Sequence, residues 1–413
     1  MNSRAAKAVI LLLAFSAVAT AIKVDPIVWS TPLNDNNVTF EDSQWIATSP
    51  SGAVIVVSGT NLTSLDPHTG AILWSNTHKN INVTYAAFAV SSTAVVIASG
   101  IKVTGFNLTN GALLGTAEVT GRNYPGKDIR GIILHRELFV VYGYEALAVF
   151  NSDFIEVYAI EKVRHDKRFK VDSIGANEEF IYFATCDDDT GDWNLRILNI
   201  NNGFSETVVG NINSASSIGV NGYIAIMLAT PNEIAVGLLK LSTGTIAWTQ
   251  SVTVEGATYV TLSSDLVIVA YFDVSSSTIY AYDFQTGSLV FDFATPHYVS
   301  SFSVTSGRLV FCAQSNLNLA QYTFVSLDLA TGTPLGNVTV PNYDPPTSKV
   351  IGTNLLVLNG QGFTCVNVLT MSPVSHQLEL PGVQSLASAF MSNGSTTVVF
   401  AGSFGAAAVA INN

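Results

Sequence analysis

Leu65-Asp66-Pro67-His68-Thr69-Gly70-Ala71-Ile72-Leu73-Trp74 reads as the end of one strand, a tight turn closed by Thr-Gly, and the start of a second strand. Asp66 is placed to accept hydrogen bonds from backbone N–H groups of the turn, and Gly70 to take the positive φ of a bulged hairpin. Trp74, four residues after the glycine, offers a large flat face to a neighbouring unit. The pattern returns at Leu239-Lys240-Leu241-Ser242-Thr243-Gly244 with Trp248, and at Tyr282-Asp283-Phe284-Gln285-Thr286-Gly287 with Phe291. It returns again at Phe106-Asn107-Leu108-Thr109-Asn110-Gly111 and Leu327-Asp328-Leu329-Ala330-Thr331-Gly332, where Gly115 and Gly336 replace the aromatic residue.

With the residue before the Asp position as marker, the copies fall at Leu65, Phe106, Phe150, Leu198, Leu239, Tyr282, Leu327 and Val366, 39 to 48 residues apart. Phe150 and Val366 head the two weakest copies. A period in the low forties with only strand-like segments inside it predicts a four-stranded propeller blade. In one unit, residues 257–263 and 266–272 are the predicted first and second strands, and residues 278–284 and 288–293 the third and outer ones. The second strand, Leu266-Val267-Ile268-Val269-Ala270-Tyr271, is apolar on both faces, as a strand packed between two neighbours must be. Such a unit buries both faces only when stacked on others.

The two ends of the chain complement each other. Ala408-Val409-Ala410-Ile411-Asn412-Asn413 matches the third strand of the unit and stops before its glycine. Asp25-Pro26-Ile27-Val28-Trp29-Ser30 matches the segment after that glycine, with Trp29 in the place of Trp74. The expected fold is therefore all-β: a single closed β-propeller of four-stranded blades, eight or nine in number, with the N-terminal strand completing the last blade. It leaves no sheet edge open at the junction.

Residues 1–21 read as a signal peptide, with Arg4 and Lys7 before an apolar run from Ala8 to Ala19 and a small-residue site at Ala19-Thr20-Ala21. The propeller domain is then residues 22–413, in a secreted or secretory-lumen protein. Later apolar runs are short and Val/Ile-rich, so no membrane span is expected. With Arg4 and Lys7 removed, 16 basic residues face 30 acidic ones, a net charge of about −14, which argues against nucleic acid as a partner. Basic residues cluster from Lys162 to Lys170, a solvated loop on this reading. Three cysteines are too few to hold such a chain together; Cys312 and Cys365, in consecutive repeats, are the pair that a disulfide would join. Six sequons, at Asn37, Asn61, Asn82, Asn107, Asn337 and Asn393, are no more than chance gives in a chain rich in Asn, Ser and Thr.

The turn-and-tryptophan pattern resembles the docking motif of the pyrroloquinoline-quinone-like repeat family. Ser64, Leu65, Asp66, Thr69, Gly70 and Trp74 match it in full, and Thr243, Gly244 and Trp248 match its second half. The resemblance implies a propeller and one of two roles. Quinone-dependent alcohol and sugar dehydrogenases hold the cofactor at the ring centre with a calcium ion and a catalytic Asp. Other members, such as a bacterial outer-membrane-assembly lipoprotein, are binding scaffolds without cofactor. This chain lacks the adjacent cysteine pair on which the alcohol dehydrogenases stack the quinone, and it is shorter than those enzymes. It also lacks the lipid-attachment cysteine of the lipoprotein.

No nucleophile elbow, phosphate loop or His-x-x-x-His spacing occurs. In Asp187-Asp188-Asp189-Thr190-Gly191-Asp192, the carboxylates of Asp187, Asp189 and Asp192 are candidate ligands for a hard cation such as calcium. The same residues serve equally as turn formers in a solvated loop. The expected function is a monomeric, non-enzymatic scaffold that binds a protein, peptide or glycan through its loops, including the aromatic loops at residues 122–125, 295–298 and 342–346. The alternative is a quinone-dependent oxidoreductase.

Overall fold

The computed structural model describes residues 29–31, 44–49, 52–78, 86–100, 102–119, 129–143, 147–159, 169–187, 191–216, 219–229, 234–252, 258–272, 276–315, 318–341, 347–351, 353–359, 362–373, 378–379, 383–387, 391–392, 395–402 and 405–412. The signal peptide, the sequons at Asn37, Asn82 and Asn393, and the loops at 122–125 and 342–346 lie outside them.

Among the described residues the strands form nine antiparallel sheets and no α-helix. The first sheet runs Gln44–Thr48, Val54–Ser58, Asn61–Leu65 and Ile72–Thr77, each strand paired with the next in the chain. Seven more follow in order over residues 86–118, 129–159, 169–210, 212–252, 258–295, 298–341 and 347–379. The sixth comprises Thr258–Leu262, Leu266–Phe272, Ser277–Asp283 and Leu289–Thr295, within one or two residues of the predicted bounds at nearly every end. The ninth joins Val383–Ala387, Ser395–Gly402 and Gly405–Asn412 to Trp29–Thr31, with Met391–Ser392 paired to Ser395–Gly402.

Second strands are deeply buried in the first and sixth sheets, because both of their faces pack on neighbouring sheets. Val54, Ile55, Val56 and Val57 are all buried, as are Val267, Ile268, Val269 and Ala270. Alternate residues feed different cores. Ile268 and Ala270 pack toward Phe311 and Leu327 of the seventh sheet, while Val267 and Val269 pack toward Val236 and Leu238 of the fifth. A strand apolar on both faces is thus shared between two interfaces, which no isolated sheet supports. Several neighbouring sheets meet first strand to first strand, and the sheet of Gln44–Thr48 meets that of Val383–Ala387. Fourth strands carry the exposed residues, as in Ile72–Thr77. First strands therefore face the hub and fourth strands the rim.

Candidate functional site

The repeated turns hold themselves together before they hold anything else. Asp66 Oδ1 accepts from the backbone N–H of His68 at 2.9 Å and of Thr69 at 2.8 Å, and from the Thr69 hydroxyl at 2.9 Å. Asp283 and Asp328 repeat this set with Thr286 and Thr331. The N–H and O–H of Thr69 hold the Asp66 carboxyl below the ordinary carboxylate range, and Asp283 and Asp328 are lowered by the same kind of donors. His68 sits exposed in its turn.

The turns of the second, sixth and seventh sheets receive the rim strand of the preceding sheet. Trp74 Nε1 donates to the Leu108 carbonyl at 2.9 Å, and Asn76 Nδ2 to the Gly111 carbonyl at 2.8 Å. Trp248 Nε1 donates to the Phe284 carbonyl at 3.0 Å. The glycines of these turns leave the necessary room. A Cβ on Gly111 would lie 2.6 Å from Trp74 Cε3, on Gly287 2.6 Å from Trp248 Cδ2, and on Gly332 2.5 Å from Phe291 Cγ. Their φ angles of 69°, 70° and 69° favour glycine as well. Trp74 and Trp248 are half-buried rather than fully enclosed, whereas Phe291 in the same position is buried.

Where the rim strand has glycine, the arrangement inverts. Gly115 faces Phe154 of the third sheet's turn, and Gly336 faces Met371 of the eighth sheet's turn. Phe154 and Met371 take the left-handed turn position, at φ 60° and 50°, and both are buried. The large group comes from the turn and the gap from the strand. These are the two weakest copies in the sequence, and their departure from the motif is what makes the contact.

The candidate chemical residues are scattered. Cys186, Cys312 and Cys365 are buried on the fourth, seventh and eighth sheets, and no disulfide joins Cys312 to Cys365. Burial pushes the Cys365 thiol up to about 12, so it stays protonated at neutral pH. Cys312 packs among Val310, Tyr322 and Phe324 in the core between the seventh and eighth sheets. The cysteines therefore do not form the adjacent pair that would stack a quinone. Burial also lowers the His78 and His135 imidazoles, keeping them neutral near pH 7. Asp187 ends the second strand of its sheet, Asp192 is exposed ahead of Trp193, and Asp189 lies outside the described residues.

One surface is not legible in the repeat. Tyr259 on the first strand of the sixth sheet and Tyr298 on that of the seventh are 44% and 38% exposed. Phe302 meets Tyr259 edge to face, with ring centroids 6.3 Å apart. Burial, then the nearby Tyr259, raises the Tyr298 hydroxyl. Two tyrosines and a phenylalanine thus share the hub side of two adjacent sheets. Only Tyr298 belongs to a loop that the sequence marks, since Tyr259 and Phe302 lie in separate units with no common local pattern.

Radial sheets with rim-to-turn docking define a β-propeller of repeated units. The family model described as outer membrane protein assembly factor BamB matches residues 12–154 and 222–404, and the chain belongs to this pyrroloquinoline-quinone-repeat family. Among solved structures it is similar to one titled crystal structure of the eukaryotic initiation factor, at 12% identity and TM-score 0.59, covering 89% of this chain and 92% of that one. It is also similar to dihydro-heme d1 dehydrogenase NirN in complex with DHE, at 13% identity and TM-score 0.55, covering 85% and 82%. BamB from Moraxella catarrhalis gives 12% identity and TM-score 0.37 over 89% and 84%. At such identities the first two likenesses are ones of fold. Comparison with curated proteins gave no match.

Proposed function

We propose that the chain is a secreted binding scaffold, a ring of nine blades closed by its own N-terminal strand, that docks a protein partner on the hub side of the sixth and seventh blades. The observation that carries the reading is the exposed Tyr259–Tyr298 pair with Phe302 beside it. Aromatic side chains with a polar tip are favoured contact groups, because they bury large area at low entropic cost and still satisfy a hydrogen bond. The repeat's own polar groups serve the fold: Oδ1 of each turn Asp bonds the turn's Thr, and the indole N–H groups bond the next turn. The family's description as an assembly factor favours a protein over a small molecule as partner.

The test uses the purified mature protein as bait on the secreted fraction, with crosslinking to assign the contact. Tyr259→Ala with Tyr298→Ala is expected to lower capture at least tenfold at unchanged melting temperature. The proposal fails if capture survives the double substitution. It fails equally if the protein retains added pyrroloquinoline quinone after desalting and reduces a dye in the presence of an alcohol or sugar.

A further inference from the structure

We propose that Asn107 carries an N-linked glycan. Asn107-Leu108-Thr109 is a sequon, and it lies inside one of the docking turns. Asn107 occupies the place held by Asp66, Asp283 and Asp328 in the other turns. Its Oδ1 does their work, accepting from the N–H of Thr109 at 2.8 Å and of Asn110 at 3.3 Å. That uses the carbonyl oxygen of the amide and leaves Nδ2, the atom a glycan is joined to, outside the turn's hydrogen bonds.

The hydroxyl has moved as well. In the Asp turns it sits three residues on, at Thr69, Thr286 and Thr331, and donates to the carboxylate. Here the threonine is two residues on, where a sequon requires it, and Thr109 is exposed. Asn110 takes the third place, its Oδ1 accepting from Ala112 N at 3.0 Å as Thr69 Oγ1 accepts from Ala71 N at 3.3 Å. The closing bond is kept: Gly111 N donates to Asn107 O at 2.8 Å, against 2.9 Å for Gly70 N to Asp66 O. The turn has exchanged two side chains, preserved its fold, and gained an acceptor. Leu108 between them is buried with its carbonyl on Trp74, which fixes the inner side of the turn.

The other Asn-headed turns, at Asn151, Asn199 and Asn367, have no Ser or Thr two residues on. The sequon at Asn61 differs in its hydroxyl: Thr63 is buried and hydrogen-bonded to the Ser75 hydroxyl, whereas Thr109 is exposed. In the transfer itself Nδ2 attacks C1 of a lipid-pyrophosphate-linked oligosaccharide. The N–C bond forms as the C1–O bond breaks, the lipid pyrophosphate leaves with the electron pair, and the amide proton passes to a base of the transferase. A glycan here would stand at the turn end of the second sheet and keep partners off it.

The experiment translates the full chain, leader included, with rough microsomes, then treats it with peptide N-glycosidase in heavy-oxygen water. Labelled conversion of Asn107 to Asp is expected. Asn107→Asp, which restores the ordinary turn residue, and Thr109→Ala, which keeps Asn107, are each expected to remove one step of the gel shift. Unconverted Asn107 overturns the proposal, whether the chain fails to enter the microsomes or enters and is glycosylated only at Asn337. A shift that keeps every step in both variants overturns it too.

Discussion

Phe154 fills the space over Gly115 that an indole fills over glycine at other junctions: a Cβ built on Gly115 would lie 3.0 Å from Phe154 Cδ2. Phe154 also stacks on Phe139, at 5.5 Å between centroids, and its ring tip occupies the space a Cβ on Gly105 would take. Gly115→Trp should overpack this junction and cost about 1–3 kcal/mol. Phe154→Gly should leave a cavity and cost about 3–5 kcal/mol. The double variant rebuilds the Trp-on-Gly junction of Trp74 and Gly111, so its loss should be smaller than the sum of the two. Urea midpoints of the four proteins measure this, and strictly additive losses would show that the residues do not share one space.

The indole N–H groups are a separable contribution. Trp74→Phe keeps most of the ring contact with Gly111 but leaves the Leu108 carbonyl without its donor, for a loss of about 1 kcal/mol. Trp74→Ala removes the ring as well, for about 3 kcal/mol, held at the low end because the side chain is half-buried. The same order should hold for Trp248. Equal losses for the Phe and Ala variants in thermal unfolding would mean that the ring contributes nothing beyond its hydrogen bond.

The turn carboxylates predict an acid limb of stability. Asp66, Asp283 and Asp328 are lowered in the folded state by their N–H and hydroxyl donors. A depressed folded value contributes stability above the unfolded value, near pH 4, and that contribution is lost as pH falls through the folded value. Replacing all three by Asn keeps the turn, as Asn107 shows, and removes the titration. The triple variant should therefore lose less stability than the parent as pH falls below about 4. Parallel acid profiles for the two proteins would place the acid sensitivity elsewhere.

Much of this fold is legible because the repeat is written in residues with strict local duties. An Asp that caps its own turn, a glycine at positive φ and a strand apolar on both faces are each common, but their return together at a period in the low forties points to this fold, and the sixth unit's strands fall almost where the pattern predicts them. The inverted junctions are not legible. Gly115 and Gly336 read as simple losses, since the bulk that replaces the aromatic residue belongs to the next unit's turn, at Phe154 and Met371. The hub aromatics escape for the same reason: Tyr259 and Phe302 are brought together only by the packing of two sheets. Adjacency of repeats suggests a disulfide between Cys312 and Cys365, but the two thiols are buried without forming one.

Calcium at Asp187, Asp189 and Asp192 remains a proposal with a direct test. Asp192 is exposed, so any ion there competes with bulk water for its oxygens and binds weakly. A rise in melting temperature is expected only at millimolar calcium, reversed by chelator and absent in Asp189→Asn with Asp192→Asn. A melting curve indifferent to calcium would leave these residues as turn formers.

Pairing of the chain's two ends carries the last prediction. Trp29 pairs with Ala408, Ser30 with Ala407 and Thr31 with Ala406. In the first sheet Trp74 pairs with Ser64, one residue before the marker Leu65, and Trp248 pairs with Leu238, one before Leu239. Ala408 likewise stands one before Val409, which holds the marker's place on the third strand of the last unit, so the register puts Trp29 in the docking position of its sheet. The sheet of Gln44–Thr48 lies against the ninth sheet, so the N-terminal strand completes a sheet that the first one needs as a neighbour. Without it the edge of Gly405–Asn412 is left to pair with other chains. A protein beginning at Val38 should aggregate and melt earlier, whereas a circular permutant joining Asn413 to Asp25 through a short turn should fold and stay monomeric. Light scattering with thermal unfolding decides it: a truncated chain that stays monomeric and melts normally would defeat closure by this strand.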